Sequence, residues 1–83
     1  MTVRIHPHAL QRMRERGATA AQVRQTVVSG AFAAAKFGRT RFRHTFAFNA
    51  KWNGKRFARK QVDAFAAKIA GGWLVVIVIV KYF

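Results

Sequence analysis

The sequence predicts an α+β chain, because after a short alternating start its hydrophobic pattern has helical spacing up to Gly30 and strand-like alternation beyond it. Two local signals support that division. Thr19-Ala20-Ala21-Gln22 has the form of a capping box, in which hydroxyl and amide side chains satisfy free N–H groups at a helix start. Gly71-Gly72 leads into a tail from Trp73 to Phe83 rich in Val and Ile, the residue types that fill strands. At 83 residues, with no linker-like stretch, one domain spanning 1–83 is expected.

Thr2 to Ile5 alternates and predicts a short first strand, ended by Pro7. Proline fits a first helical turn because its missing N–H would have no partner there. A helix therefore starts at Pro7 or His8. Leu10, Met13 and Gly17 fall on one of its faces, His8, Arg12 and Arg16 on another, and Gly17 supplies a left-handed stop. The capping box opens a second helix over Ala20 to Ser29, ended at Gly30. Leu10, Met13, Val23 and Val27 are the residues expected between the helices and a sheet.

After Gly30 the period is two. Ala31 to Lys36 is a weak strand, and Phe37-Gly38-Arg39 a turn. Arg41 to Phe48 is a stronger strand, with Phe42, His44, Phe46 and Phe48 on one face and Arg41, Arg43, Thr45 and Ala47 on the other. Asn53-Gly54 is a hairpin signal. From Arg56 to Ile69 the pattern is ambiguous: Val62, Phe65, Ala66 and Ile69 have helical spacing, while Phe57, Arg59, Gln61, Asp63 and Phe65 alternate. The tail from Trp73 to Phe83 is apolar on both faces, so it predicts a strand covered on both sides.

Sixteen Lys and Arg stand against only Glu15 and Asp63, a formal net charge of +14. Almost none of these cations can have an acidic partner within the chain. Such a charge destabilises the compact state by self-repulsion and gathers polyanions from solution, so nucleic acid is the first partner to suspect. The competing reading is that the charge keeps a 52 % hydrophobic chain in solution. There is no cysteine, which removes disulfides and thiolate metal sites. Met1 to Ala9 has no apolar run of the secretory kind, and the apolar stretch Trp73–Val80 is far short of the roughly 18 residues of a spanning helix. A cytoplasmic protein without a membrane partner is expected.

The segment His8-Ala9-Leu10-Gln11-Arg12-Met13-Arg14-Glu15-Arg16-Gly17-Ala18-Thr19, followed by Val23, resembles the domain of unknown function 4258 family, in which a His-Ala-x-x-Arg-Met-x-Glu-Arg-Gly helix precedes a second capped helix. Lys36-Phe37-Gly38-Arg39, Lys60-Gln61-Val62 and the Val/Ile-rich tail look like its strands. That family is similar to the RelE/ParE-like toxins, a group related to metal-independent ribonucleases. The resemblance implies two N-terminal helices packed on a twisted, mainly antiparallel sheet, a strand over Arg56 to Ala67, and RNA as substrate, ribosome-bound mRNA included. This chain differs in having Ala20, Ala21, Gln22, Ala33 and Ala67 where such proteins carry acids, and Ile77 where a hydroxyl residue is expected. The alternatives to a ribonuclease are a nucleic-acid-binding module without catalysis and a protein whose basic face docks an acidic antitoxin-like partner.

Two carboxylates cannot assemble a two-metal nuclease site. His6 and His8 with His44 give only a weak metal pattern, and no phosphate-cradling glycine loop is present. No metal or cofactor is expected. RNA cleavage through its own 2′-hydroxyl needs a base, an acid and positive charge on the transition state, all of which imidazoles and cations can supply. The catalytic candidates are His8, Arg12, His44, Lys60 and Tyr82. Helix capping and solvation compete for His8 and Arg12, and a hydrogen-bonded core imidazole competes for His44. Arg16, Arg39, Arg41, Arg43, Lys55, Arg56 and Arg59 are the candidate phosphate ligands. Trp52 and Phe57, beside Lys51, Lys55 and Arg56, read equally as base-stacking platforms or as ordinary packing aromatics.

Overall fold

The computed structural model describes Met1 to Phe83 and is α+β. Its elements are β1 (Thr2–Ile5), α1 (Pro7–Arg16), α2 (Ala20–Ser29), β2 (Ala31–Ala34), β3 (Thr40–Trp52), β4 (Lys55–Ile69) and β5 (Gly72–Tyr82). A single 3-10 turn, Lys36–Gly38, links β2 to β3. The weak strand after Gly30 thus stops at Ala34, and the ambiguous segment after Gly54 is strand throughout. A tight turn explains the latter: Asn53 and Gly54 both take positive φ, 51° and 79°, and fold β4 back antiparallel onto β3.

Local chemistry sets both helices. His6 caps α1 by accepting the His8 N–H at its Nδ1 (3.1 Å), with Pro7 at the first helical position. Gly17 stops the helix at φ 79°, and the N–H of Ala18 reaches the Met13 carbonyl. In α2 both arms of the capping box form: Gln22 N–H donates to Thr19 Oγ1, and Thr19 N–H to Gln22 Oε1, each at 3.1 Å.

The five strands form one mixed sheet in the order β1-β5-β4-β3-β2, in which β1 runs parallel to β5 and the other pairs are antiparallel. Register gives the two faces directly, since paired residues point the same way. The rows Phe42–Ala64–Val78, His44–Val62–Val80 and Phe46–Lys60–Tyr82 lie on the face that carries the helices. The rows Arg41–Phe65–Ile77, Arg43–Asp63–Ile79 and Thr45–Gln61–Lys81 lie on the opposite face, which no helix covers.

The core between helices and sheet includes Ala9, Met13, Val23, Val27, Phe42, Val62, Ala64, Ala66, Val75 and Val78. Two expectations are corrected here. Leu10 is only half-buried, at the margin of the core, because Ala9 and Met13 form the stripe of α1 that meets β5. β5 is covered on one side only: Ile77 and Ile79 remain 44 % and 49 % exposed, because both helices pack on the other face.

Candidate nucleic-acid interface

Lys60 and Tyr82 are neighbours in register on β4 and β5, and both turn toward the helices. Lys60 is 3 % exposed. Its ammonium donates to the carbonyl of Gly17 and to Gln22 Oε1 (3.0 Å), while Phe48 and Tyr82 present their rings at 5.6 and 5.7 Å. Tyr82 Oη donates to the Arg16 carbonyl at 2.6 Å. Together they tie the α1–α2 turn to the sheet by satisfying carbonyls that the end of α1 leaves free. Burial lowers the Lys60 pKa and raises that of Tyr82, since each is harder to charge away from water.

Gly17 sits where this tie is tightest. A Cβ there would come within 2.6 Å of the Trp52 ring and 2.7 Å of Tyr82 Oη. Trp52 stacks on Tyr82, centroids 5.0 Å apart and planes at 13°, and Phe48 and Phe57 pack on the same tyrosine ring at 5.1 and 5.7 Å. A bulge between Ala47 and Ala50, with Asn49 at φ 47°, bends the β3–β4 hairpin toward them. The hairpin end then carries Lys51, Lys55 and Arg56 into solvent around an aromatic cluster. The Lys55 ammonium lies 5.6 Å from the Phe57 ring, and Arg56 donates to the Asn49 carbonyl at 3.2 Å.

On the open sheet face, Arg43 does have an internal partner. Its Nε and Nη2 grip Asp63 in a two-bond fork at 2.8 and 2.9 Å, and the hydrogen bonds and charge of Asp63 raise the Arg43 pKa. Arg41 has none: its Nε is buried without a hydrogen-bond acceptor. Arg59 is exposed one row beyond Gln61, across from Ala47. Arg39 lies beside the Phe37 ring, 5.9 Å from its centroid. Lys36, Phe37, Phe65 and Ile77, none of them among the site candidates read from the sequence, line a pocket together with Ala34, Ala35, Arg39 and Arg41. An exposed aromatic between two cations in a Lys-Phe-Gly-Arg turn was the available signal.

His8 and Arg12 stand elsewhere. With Gln11 and Glu15 they line a shallow depression on the exposed side of α1, where Arg12 lies 3.5 Å from Glu15. Because α1 packs on the helix-bearing face of β5, the sheet separates this depression from Arg41 and Arg43. His44 shares the helix face, with its ring 4.5 Å from Phe46. The Arg16 side chain is exposed on α1. The five catalytic candidates therefore fall into three places: the surface of α1, the flank of β3, and the interior tie of Lys60 and Tyr82. His6 and His8 rings meet edge to face at 5.3 Å, with His6 Nδ1 engaged in the helix cap. No protein-family model, curated protein or solved structure matches this chain.

Proposed function

We propose that this chain is an RNA-binding domain with the arrangement of the RelE/ParE-like group. What supports it is the coarser likeness, a capped helix pair packed on one face of a mixed sheet, although here a strand, β1, precedes the helices. The observation that carries the binding reading is the state of the cations. Apart from Arg12 near Glu15, Arg43 on Asp63 and the buried Lys60, every Lys and Arg lacks an acidic partner, and all of these reach solvent at least in part. Cations without partners are free to displace the counterions of a phosphate backbone. Aromatic rings stand among them at the hairpin end and at the β2–β3 turn, where bases can stack without regard to sequence.

Binding without cleavage is the reading favoured, because no imidazole stands beside the open cationic face. Cleavage is a second reading, and it rests on His8, Arg12 and Glu15 sharing one depression, a combination of proton carriers and positive charge. Incubation with end-labelled single-stranded RNA in excess EDTA, followed by acid quench and a denaturing gel, separates the two. Retained but intact RNA is expected. RNA cut with 2′,3′-cyclic phosphate ends, and left intact by His8→Ala, would replace the binding module with a metal-independent ribonuclease.

A further inference from the structure

The turn between β2 and β3 contains a feature that packing does not explain. Phe37 adopts φ 62° and ψ 33°, the left-handed region that disfavours residues with a large side chain, and its ring is 87 % exposed. Neither cost is repaid within the chain, because the ring contributes to no core. Strain and exposure at one aromatic residue are features that cluster at ligand sites.

Beneath Phe37 lies a pocket of about 420 Å³, floored by Phe65 and Ile77 and walled by Ala34 and Ala35. Its size falls within the range of small-ligand sites. Its only charged groups are Lys36, Arg39 and Arg41, and no acid lines it. Arg41 lines the pocket without an acidic partner, and its Nε, shielded from solvent, meets no acceptor within the protein. An apolar slot that three cations border and no acid offsets calls for a ligand that is apolar in body and anionic at one end. The Phe37 ring and the Arg39 guanidinium beside it are flat surfaces, which favour a planar body. A second copy of this chain is a poor occupant, since two bodies of charge +14 repel.

We propose that this pocket takes one nucleotide unit, its base stacked against Phe37 over the Phe65–Ile77 floor and its phosphate on Lys36, Arg39 and Arg41. This rests on the RNA-binding reading and deepens it: the pocket holds one unstacked base of a single strand, and the other cations follow the backbone. With Lys36, Arg39 and Arg41 engaged by the phosphate and no side-chain amide or carboxylate in the lining, no group is left to read a base edge, and the four bases are accepted alike.

Calorimetric titration with AMP, adenosine and inorganic phosphate tests the pocket apart from RNA, and anisotropy with a labelled single-stranded oligoribonucleotide tests the larger surface. AMP should bind saturably, and adenosine and phosphate each at least roughly tenfold more weakly. Phe37→Ala should weaken AMP by about tenfold, the loss of one stacking platform, and Arg41→Gln should weaken it similarly. Phe37 lies outside the core, so an unchanged melting temperature would certify the fold of its variant. Lys51→Ala with Lys55→Ala should leave AMP binding unchanged while weakening the oligonucleotide. AMP that fails to saturate, or binds Phe37→Ala as well as the parent, overturns the pocket even if RNA still binds. AMP bound with RNA ignored would keep the pocket, as a site for free mononucleotides, and remove the RNA-binding reading.

Discussion

Lys60 shows how much a single residue can depend on its surroundings. In sequence it is one of sixteen cations, yet it is almost fully enclosed and spends its protons on Gly17 and Gln22. Its pKa is lowered by burial. Between that lowered value and the ordinary 10.5, the unfolded chain holds a proton that the folded chain has released, so this group's contribution to stability rises with pH. Tyr82 acts in the opposite sense: its pKa is raised above 10.0, so the folded state keeps a proton that the unfolded state loses, and stability falls as pH passes 10. Urea titrations of Tyr82→Phe and of Tyr82→Phe with Lys60→Met, at pH 7 and near 10, isolate the lysine. The variant that retains Lys60 should gain on the other as pH rises; an equal gap at both pH values would show that Lys60 is hydrated. Gly17→Ala should destabilise by about 1–3 kcal/mol from its left-handed backbone alone, and more where Trp52 and Tyr82 cannot yield. The helix-stop role of Gly17 was legible in the sequence. The close approach of Trp52 was not, because it depends on a hairpin 35 residues further along.

At the scale of elements, the helix starts were legible because caps are local: Pro7 and the Thr19–Gln22 box each act within a few residues. The depth of each helical residue was less so. Both Ala9 and Leu10 recur with Met13 at helical spacing, and only the docking of α1 on β5 decides that Ala9 faces inward. Met13→Ala should therefore cost about 2–5 kcal/mol as a core truncation, and Leu10→Ala distinctly less. Chemical denaturation of the two variants checks this, and equal losses would put Leu10 in the core. For β4, helical spacing of Val62, Phe65, Ala66 and Ile69 misleads because Phe65 belongs to the open face and the others do not follow one stripe. A bulge between Phe65 and Ala66, opposite Val75 and Ile77, also shifts the register there. The Arg43–Asp63 fork is invisible in sequence, since it joins residues 20 positions apart across a strand pair.

For the whole molecule the charge is the governing quantity, and it acts on stability and on binding in opposite directions as salt is varied. Self-repulsion among unpaired cations is screened by added salt, so the melting temperature of the free protein should rise between about 20 and 500 mM NaCl. A falling or flat melting temperature would mean that attractive pairs dominate the surface. RNA affinity should respond in the reverse sense, because binding driven by counterion release weakens as counterions become abundant. The excess of cations and the shared strand face of Arg41 and Arg43 were legible in the sequence, while the packing of both helices on the other face and the bend of the hairpin required the fold. The most direct test is the affinity for a fluorescent single-stranded RNA, measured by anisotropy across a salt series. On this account log Kobs falls linearly with log salt, with a slope of roughly −0.7 for each phosphate neutralised, and several phosphates contribute; a slope near zero, or no binding at the lowest salt, would contradict it.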